Sequence, residues 1–238
     1  MKKIVPNFII TLTVVGLMIA AILYVRSSPL FNINLFSTNY LNATVVYQLT
    51  TLALALVIVL ITALQTGFKS LRLLSIARID GEVTPEPWIG ITEKNKDTWK
   101  RLGLSVGLII SAVTAIVIYF QVMNNGVVND FAIGSFALVV LLALNNSFVE
   151  EVTFRHTFAS IVEHHKLNPN ISKGLSAVIF GTVHYWGYPA RIPGVIMAGF
   201  IGWFLSKSIH ETKGFFWAWM IHFVQDVIIM TALFLTLA

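Results

Sequence analysis

From Val45 to Phe68 the chain runs without a single charged residue. A stretch of that length and character is long enough to cross the hydrocarbon core of a bilayer as one helix, which takes roughly 20 mainly apolar residues. Six further segments have a similar character, giving about seven spans near 6–25, 45–68, 102–122, 131–158, 171–188, 192–208 and 214–236. Charged residues make up 11% of the chain against roughly 25% in a soluble domain, too few to coat a water-soluble surface. The expectation is an all-α polytopic transmembrane bundle. Inside lipid the helix is the economical solution, because each backbone group must find its partner within the protein. Cysteine is absent, which excludes disulfides, thiol catalysis and thiolate-ligated zinc.

The basic residues sort by connection. If the N-terminus is cytoplasmic, the inner side holds Lys2, Lys3, Lys69, Arg72, Arg78, Lys94, Lys96, Lys100, Arg101, Lys166, Lys173, Lys207 and Lys213, and the outer side Arg26 and Arg191. This asymmetry predicts seven spans, N-terminus inside and C-terminus outside. It also accounts for the basic balance of the chain without nucleic acid, since no basic patch is interleaved with base-stacking aromatics. Lys2 and Lys3 precede an apolar run too long for a signal peptide, so the first segment reads as an uncleaved helix. The stretch 69–100 reads as a loop. Its leucines and isoleucines among basic residues would also let its first part lie along the inner leaflet.

Charge at bilayer depth is costly and marks sites. The fourth segment ends in Glu150, Glu151 and Arg155. Glu151 and Arg155, four apart, share a helix face and can pair, while Glu150 is turned about 100° away and is left to act as a general base. The fifth segment carries Phe180 and His184. The seventh carries His222 and Asp226, four apart on one face. At ~1.5 Å per residue, Glu150, His184 and His222 lie about 20, 17 and 14 Å from the inner ends of their helices, which predicts one layer in the middle or inner half of the bilayer. Tyr185, Trp186 and Tyr188 pull the other way, toward an outer interfacial belt. Two imidazoles with carboxylates permit a zinc site made of Glu150, His184, His222 and Asp226, and equally a metal-free general-base site. His164, His165, His210 and Glu211 read as loop residues, and Gly194, Ala198, Gly199 and Gly202 as close-packing positions.

The ordered set Glu150-Glu151…Arg155, Phe180…His184 and His222…Asp226 resembles the CPBP family, which includes type II CAAX prenyl endopeptidases and bacterial Abi proteins linked to bacteriocin self-immunity. The resemblance covers about 130–238 and divides the chain into N-terminal helices (1–125) and a catalytic core formed by the last four helices (126–238). It implies an intramembrane endopeptidase, in the metalloprotease reading with Zn2+, acting on a peptide or a prenylated protein near the cytoplasmic face of a bacterial plasma membrane. By this resemblance Glu150 activates a water and His184 binds or orients it. His222 and Asp226 serve the oxyanion or a metal, and Glu151 with Arg155 hold the site's shape. The chain departs from the family pattern at His156, where a small residue is common, and at Asp226, where the eukaryotic-type enzymes have asparagine. Two other readings are a non-catalytic immunity or scaffold protein and a proton or ion transporter.

Overall fold

The computed structural model describes residues 3–36, 38–92, 98–124 and 133–237. Lys2, Lys94, Lys96, the first two residues of the fourth segment and the 125/126 division lie outside them. Among the described residues there are eight α-helices: α1 (Ile4–Ser27), α2 (Asn39–Thr66), α3 (Trp99–Ile118), α4 (Ile133–Glu151), α5 (Thr157–His164), α6 (Asn170–Val183), α7 (Arg191–Thr212) and α8 (Phe216–Leu237). A π turn, Val152–His156, joins α4 to α5, so the two form one continuous helical path. The all-α polytopic bundle is as read, and the chain is an integral membrane protein.

Among the described residues six helical stretches are long and apolar enough to cross a membrane, against the seven expected. The missing one is the fifth segment. Helix α6 has 14 residues, about 21 Å at 1.5 Å per residue, and stops at Val183 instead of continuing to 188. Beyond it the chain makes a 3-10 turn over His184–Trp186 and runs through Pro189, which cannot donate to a helix. The path still reaches the far end of the bundle. There the Arg26 guanidinium donates to the Trp186 carbonyl at 3.1 Å, and the Ala190 amide donates to Gln121 at 2.8 Å.

The two ends of the bundle are chemically distinct. At one end Asn7 at the start of α1 meets His165 after α5, and Lys213 before α8 meets Glu163 at 2.8 Å. This end carries the described inner-side cations of the charge tally. At the other end α1 finishes beside Trp186, and Tyr40 of α2 packs against Phe234 near the end of α8. The described basic residues there are Arg26 and Arg191. The chain thus starts at the basic end, and α8 finishes at the basic-poor end.

Helix α7 continues to Thr212, past the expected limit at 208. His210 and Glu211 are therefore helical residues of the interior, not of a loop. His210 bonds the Ser172 hydroxyl, and the Trp99 indole donates to Glu211 at 2.9 Å. Helices α6 and α7 pack with their backbones close together. A Cβ on Gly202 would come within 2.6 Å of the Ser176 carbonyl oxygen, and one on Gly181 within 2.9 Å of that of Val195. Small residues at these positions permit the approach.

Candidate active site

Glu150 and Glu151 sit side by side on α4 in unlike surroundings. Glu151 is fully buried, with Oε1 3.1 Å from Arg155 Nη1. The same oxygen accepts from His222 Nδ1 at 2.6 Å, which fixes the orientation of the imidazole contributed by α8. Glu150 keeps 17% of its side chain exposed. Its Oε2 lies 3.4 Å from His222 Nε2, and its Oε1 accepts from Asn146 Nδ2 at 3.1 Å.

Asp226 lies one turn beyond His222. Its Oδ1 is 3.6 Å from His222 Nε2, and its Oδ2 accepts from Asn146 at 3.1 Å. Asn146 thereby bridges Glu150 and Asp226. Gln48 on α2 donates to Asn146 Oδ1 at 3.3 Å and is itself buried. The guanidinium of Arg155 lies over the Phe180 ring, 3.6 Å from its centroid, and that ring also packs 4.1 Å from His184 and 5.6 Å from His222, centroid to centroid. His184 donates through Nδ1 to the Phe180 carbonyl at 3.0 Å, which leaves Nε2 as its second ring nitrogen. The structure therefore brings all six expected site residues into one neighbourhood.

Asn146 and Gln48 carried no expected role. Asn146 is four residues before Glu150, on the same face of α4, so its position was readable once Glu150 had been singled out. Gln48 lies in the charge-free second segment and has no local signal. His156, the departure noted beside Arg155, belongs elsewhere. It is fully buried, donates from Nε2 to the Ser70 carbonyl at 3.0 Å and packs edge-on against Phe215. The π turn that carries it follows Glu151 directly, a placement π turns often take beside functional residues.

Glu150, His184, His222 and Asp226 line one cavity of about 420 Å³. From them its walls rise through Tyr47, Met230 and Leu233 to Arg26, Tyr40 and Tyr188 at the basic-poor end. The carboxylate–imidazole residues themselves lie along the middle stretches of their helices, within the expected middle or inner half, and the cavity extends from them toward the far side. The 3-10 turn His184–Trp186 at the end of α6 brings Trp186 and Tyr188 into the same wall as His184.

A resident zinc ion finds no ready shell here. Both nitrogens of His222 face protein carboxylates, and among the described residues no group of three or more His, Asp or Glu side chains is arranged to hold a metal ion. The arrangement as it stands does not fit the ion, and no step below passes through one.

Fold and site define a polytopic helical membrane protein with a carboxylate–imidazole centre buried inside the bundle. Residues 132–228, which hold all six site residues, match the family described as type II CAAX prenyl endopeptidase Rce1-like. The match covers less than half of the chain; it makes this segment similar to the CAAX-type intramembrane proteases and supports the resemblance to the CPBP family. No curated protein and no solved structure matches the chain.

Proposed function

We propose that the chain is an intramembrane endopeptidase in which Glu150 activates a water against a peptide bond. The observation that carries this reading is the inequality of the paired glutamates. Glu151 is consumed by Arg155 and His222, whereas Glu150 faces the cavity with an oxygen near an imidazole. Glu150 takes a proton from the water, the resulting hydroxide attacks the carbonyl carbon, and the proton passes to the leaving amine as the C–N bond breaks. This reading assigns to the developing oxyanion the Asn146 amide and His222, the latter as an imidazolium with a proton on Nε2, both of which contact Glu150. His184, which lines the same cavity as Glu150, orients the water. Arg155, Glu151 and Phe180 act as positioning residues that hold the two imidazoles.

The substrate in this proposal is a peptide or protein segment with an apolar flank, because Ile22, Leu23, Ile229, Met230 and Leu233 make much of the cavity wall. It arrives from the basic-poor end, which this proposal takes as the outer face because lysine and arginine favour the inner one. The test uses purified protein in lipid nanodiscs with an internally quenched CAAX peptide, farnesylated and unmodified. Cleavage of either by the native chain and by neither in Glu150→Gln is the expected result. Cleavage of both at equal rates would remove the prenyl group from the substrate description, and cleavage by folded Glu150→Gln would overturn the proposal. Metal analysis of the active sample, with a chelator arm, decides between a bare glutamate site and a zinc enzyme.

A further inference from the structure

A second cavity, of about 330 Å³, lies at the basic end, far from the carboxylate site. Its walls come from the 3-10 turn Lys69–Leu74 that follows α2 and from the last turns of α5. Lys69, Arg72, Arg78 and Lys166 line it, all on exposed positions. The acidic residue in its wall, Glu163, is already paired with Lys213 at 2.8 Å. Four cations therefore converge on a concave site whose carboxylate is engaged elsewhere. Two hydroxyls in the same wall, Ser70 and Ser160, are almost wholly buried and have no hydrogen-bond partner. A buried hydroxyl without a partner is unfavourable, and an oxyanion would serve both hydroxyls and cations.

The surroundings favour one source of that anion. Phe68, Leu71 and Ile76 alternate with the basic residues and are exposed, at 56%, 42% and 56%. Apolar side chains next to cations at the end of a transmembrane helix suit the boundary between headgroups and acyl chains. Basic pockets between helices at that level take phosphate headgroups.

We propose that this cavity binds the phosphate of an anionic membrane lipid in the leaflet at the basic end. The proposal is independent of the peptidase reading, since no residue of the carboxylate site enters it. The test is native mass spectrometry of the full chain in detergent, titrated with phosphatidylglycerol or with phosphatidylcholine of the same acyl chains. Phosphatidylglycerol should be retained at least tenfold better. The double variant Lys69→Gln/Arg72→Gln should weaken its retention roughly ten- to thirtyfold, from the electrostatic contribution of two cations near a membrane surface. Both side chains are exposed, so the variant is expected to fold, and Arg72→Gln alone should fall between it and the native chain. The charge-matched Lys3→Gln/Lys100→Gln, at the same end but outside the cavity's lining, should retain the lipid as the native chain does. Equal retention of the two lipids, or equal losses in the two double variants, would overturn the proposal. Displacement of phosphatidylglycerol by millimolar inorganic phosphate would assign the cavity to a soluble anion and overturn the lipid assignment.

Discussion

At the basic end of the bundle, Lys207 and Lys173 face Glu86 and Glu211, two cations against two carboxylates. In the middle, Glu150, Glu151 and Asp226 share Arg155 and His222. The first network is matched in charge and well bonded. Lys207, fully buried, donates to the Thr84 carbonyl at 2.7 Å and lies 2.5 Å from Glu211 Oε1, while Glu86 takes contacts from Lys173 and Lys207 and the Trp88 indole. It clamps the segment 84–91 onto α6 and α7. The second network carries one carboxylate more than its cationic and imidazole partners. It also leaves Glu151 Oε2 and the Arg155 Nε and Nη2 atoms without hydrogen-bond partners. Both are ionic and both lie inside the protein. A structural device can satisfy its groups, whereas a reactive one must leave a group facing the space where substrate sits.

The contrast fails or sharpens first on Glu150. Glu150→Gln should lower peptide cleavage by about 10²- to 10⁴-fold, the usual contribution of a general base, with little change in melting temperature. Lys207→Met should do the reverse. Removing one partner of a buried pair costs roughly 3–5 kcal/mol, so thermal stability in detergent should fall steeply while the folded fraction still cleaves. A Lys207→Met protein that is stable but inactive would erase the distinction between the networks. Arg155→Met joins the two effects, because it strands Glu151 and removes the stack on Phe180. Its stability loss should match that of Lys207→Met, and cleavage should fall as well.

The parts of these networks that the sequence disclosed share one property. Glu150, Glu151, Arg155, His222 and Asp226 are ionisable residues in apolar stretches, and helical spacing alone pairs Glu151 with Arg155 and His222 with Asp226. Asn146 and Gln48 escaped because neutral amides hardly disturb a hydropathy reading, yet they connect α2 to the site. The matched network escaped for a different reason. Hydropathy ends the sixth span at the polar run 206–208, but Lys207 and Glu211 neutralise each other within the protein, and α7 continues to Thr212. The length of α6 was hidden because hydropathy follows composition, while the helix ends where the backbone turns at His184. The cavity wall joins residues of α1, α2, α4, α6, α7 and α8, a juxtaposition that no local stretch of sequence encodes.

Helix α6 carries Phe180 and leads into His184 beside the carboxylate network, while α6 and α7 carry Lys173 and Lys207 of the matched one. Separating the helices should therefore disturb both together. Gly202→Ala forces a Cβ to 2.6 Å from the Ser176 carbonyl and should cost about 1–3 kcal/mol, with a parallel fall in cleavage. A loss of stability without loss of activity would show that the site tolerates movement of α6.

The smallest effect belongs to Glu86, and it tests the matched network without breaking a buried group. Burial raises the Glu86 carboxyl, but the Trp88 indole and the Lys173 and Lys207 ammonium groups outweigh it and hold the carboxyl below its ordinary value of 4.5. A carboxyl depressed in the folded state stabilises fully above its unfolded value and loses that contribution as pH falls through the folded one. Glu86→Gln should thus lower stability at pH 7 by about 1 kcal/mol or less, in the range of a partly exposed ion pair. The difference between the two proteins should shrink as the pH is taken below about 4.5. Glu150→Gln, measured beside it at pH 7 by the same melting experiment, should change stability little, because that carboxylate faces the cavity. If the Glu86 difference persisted unchanged into acid, the clamp would rest on the packing of Trp88 against Trp203, and charge matching would not be what separates the two networks.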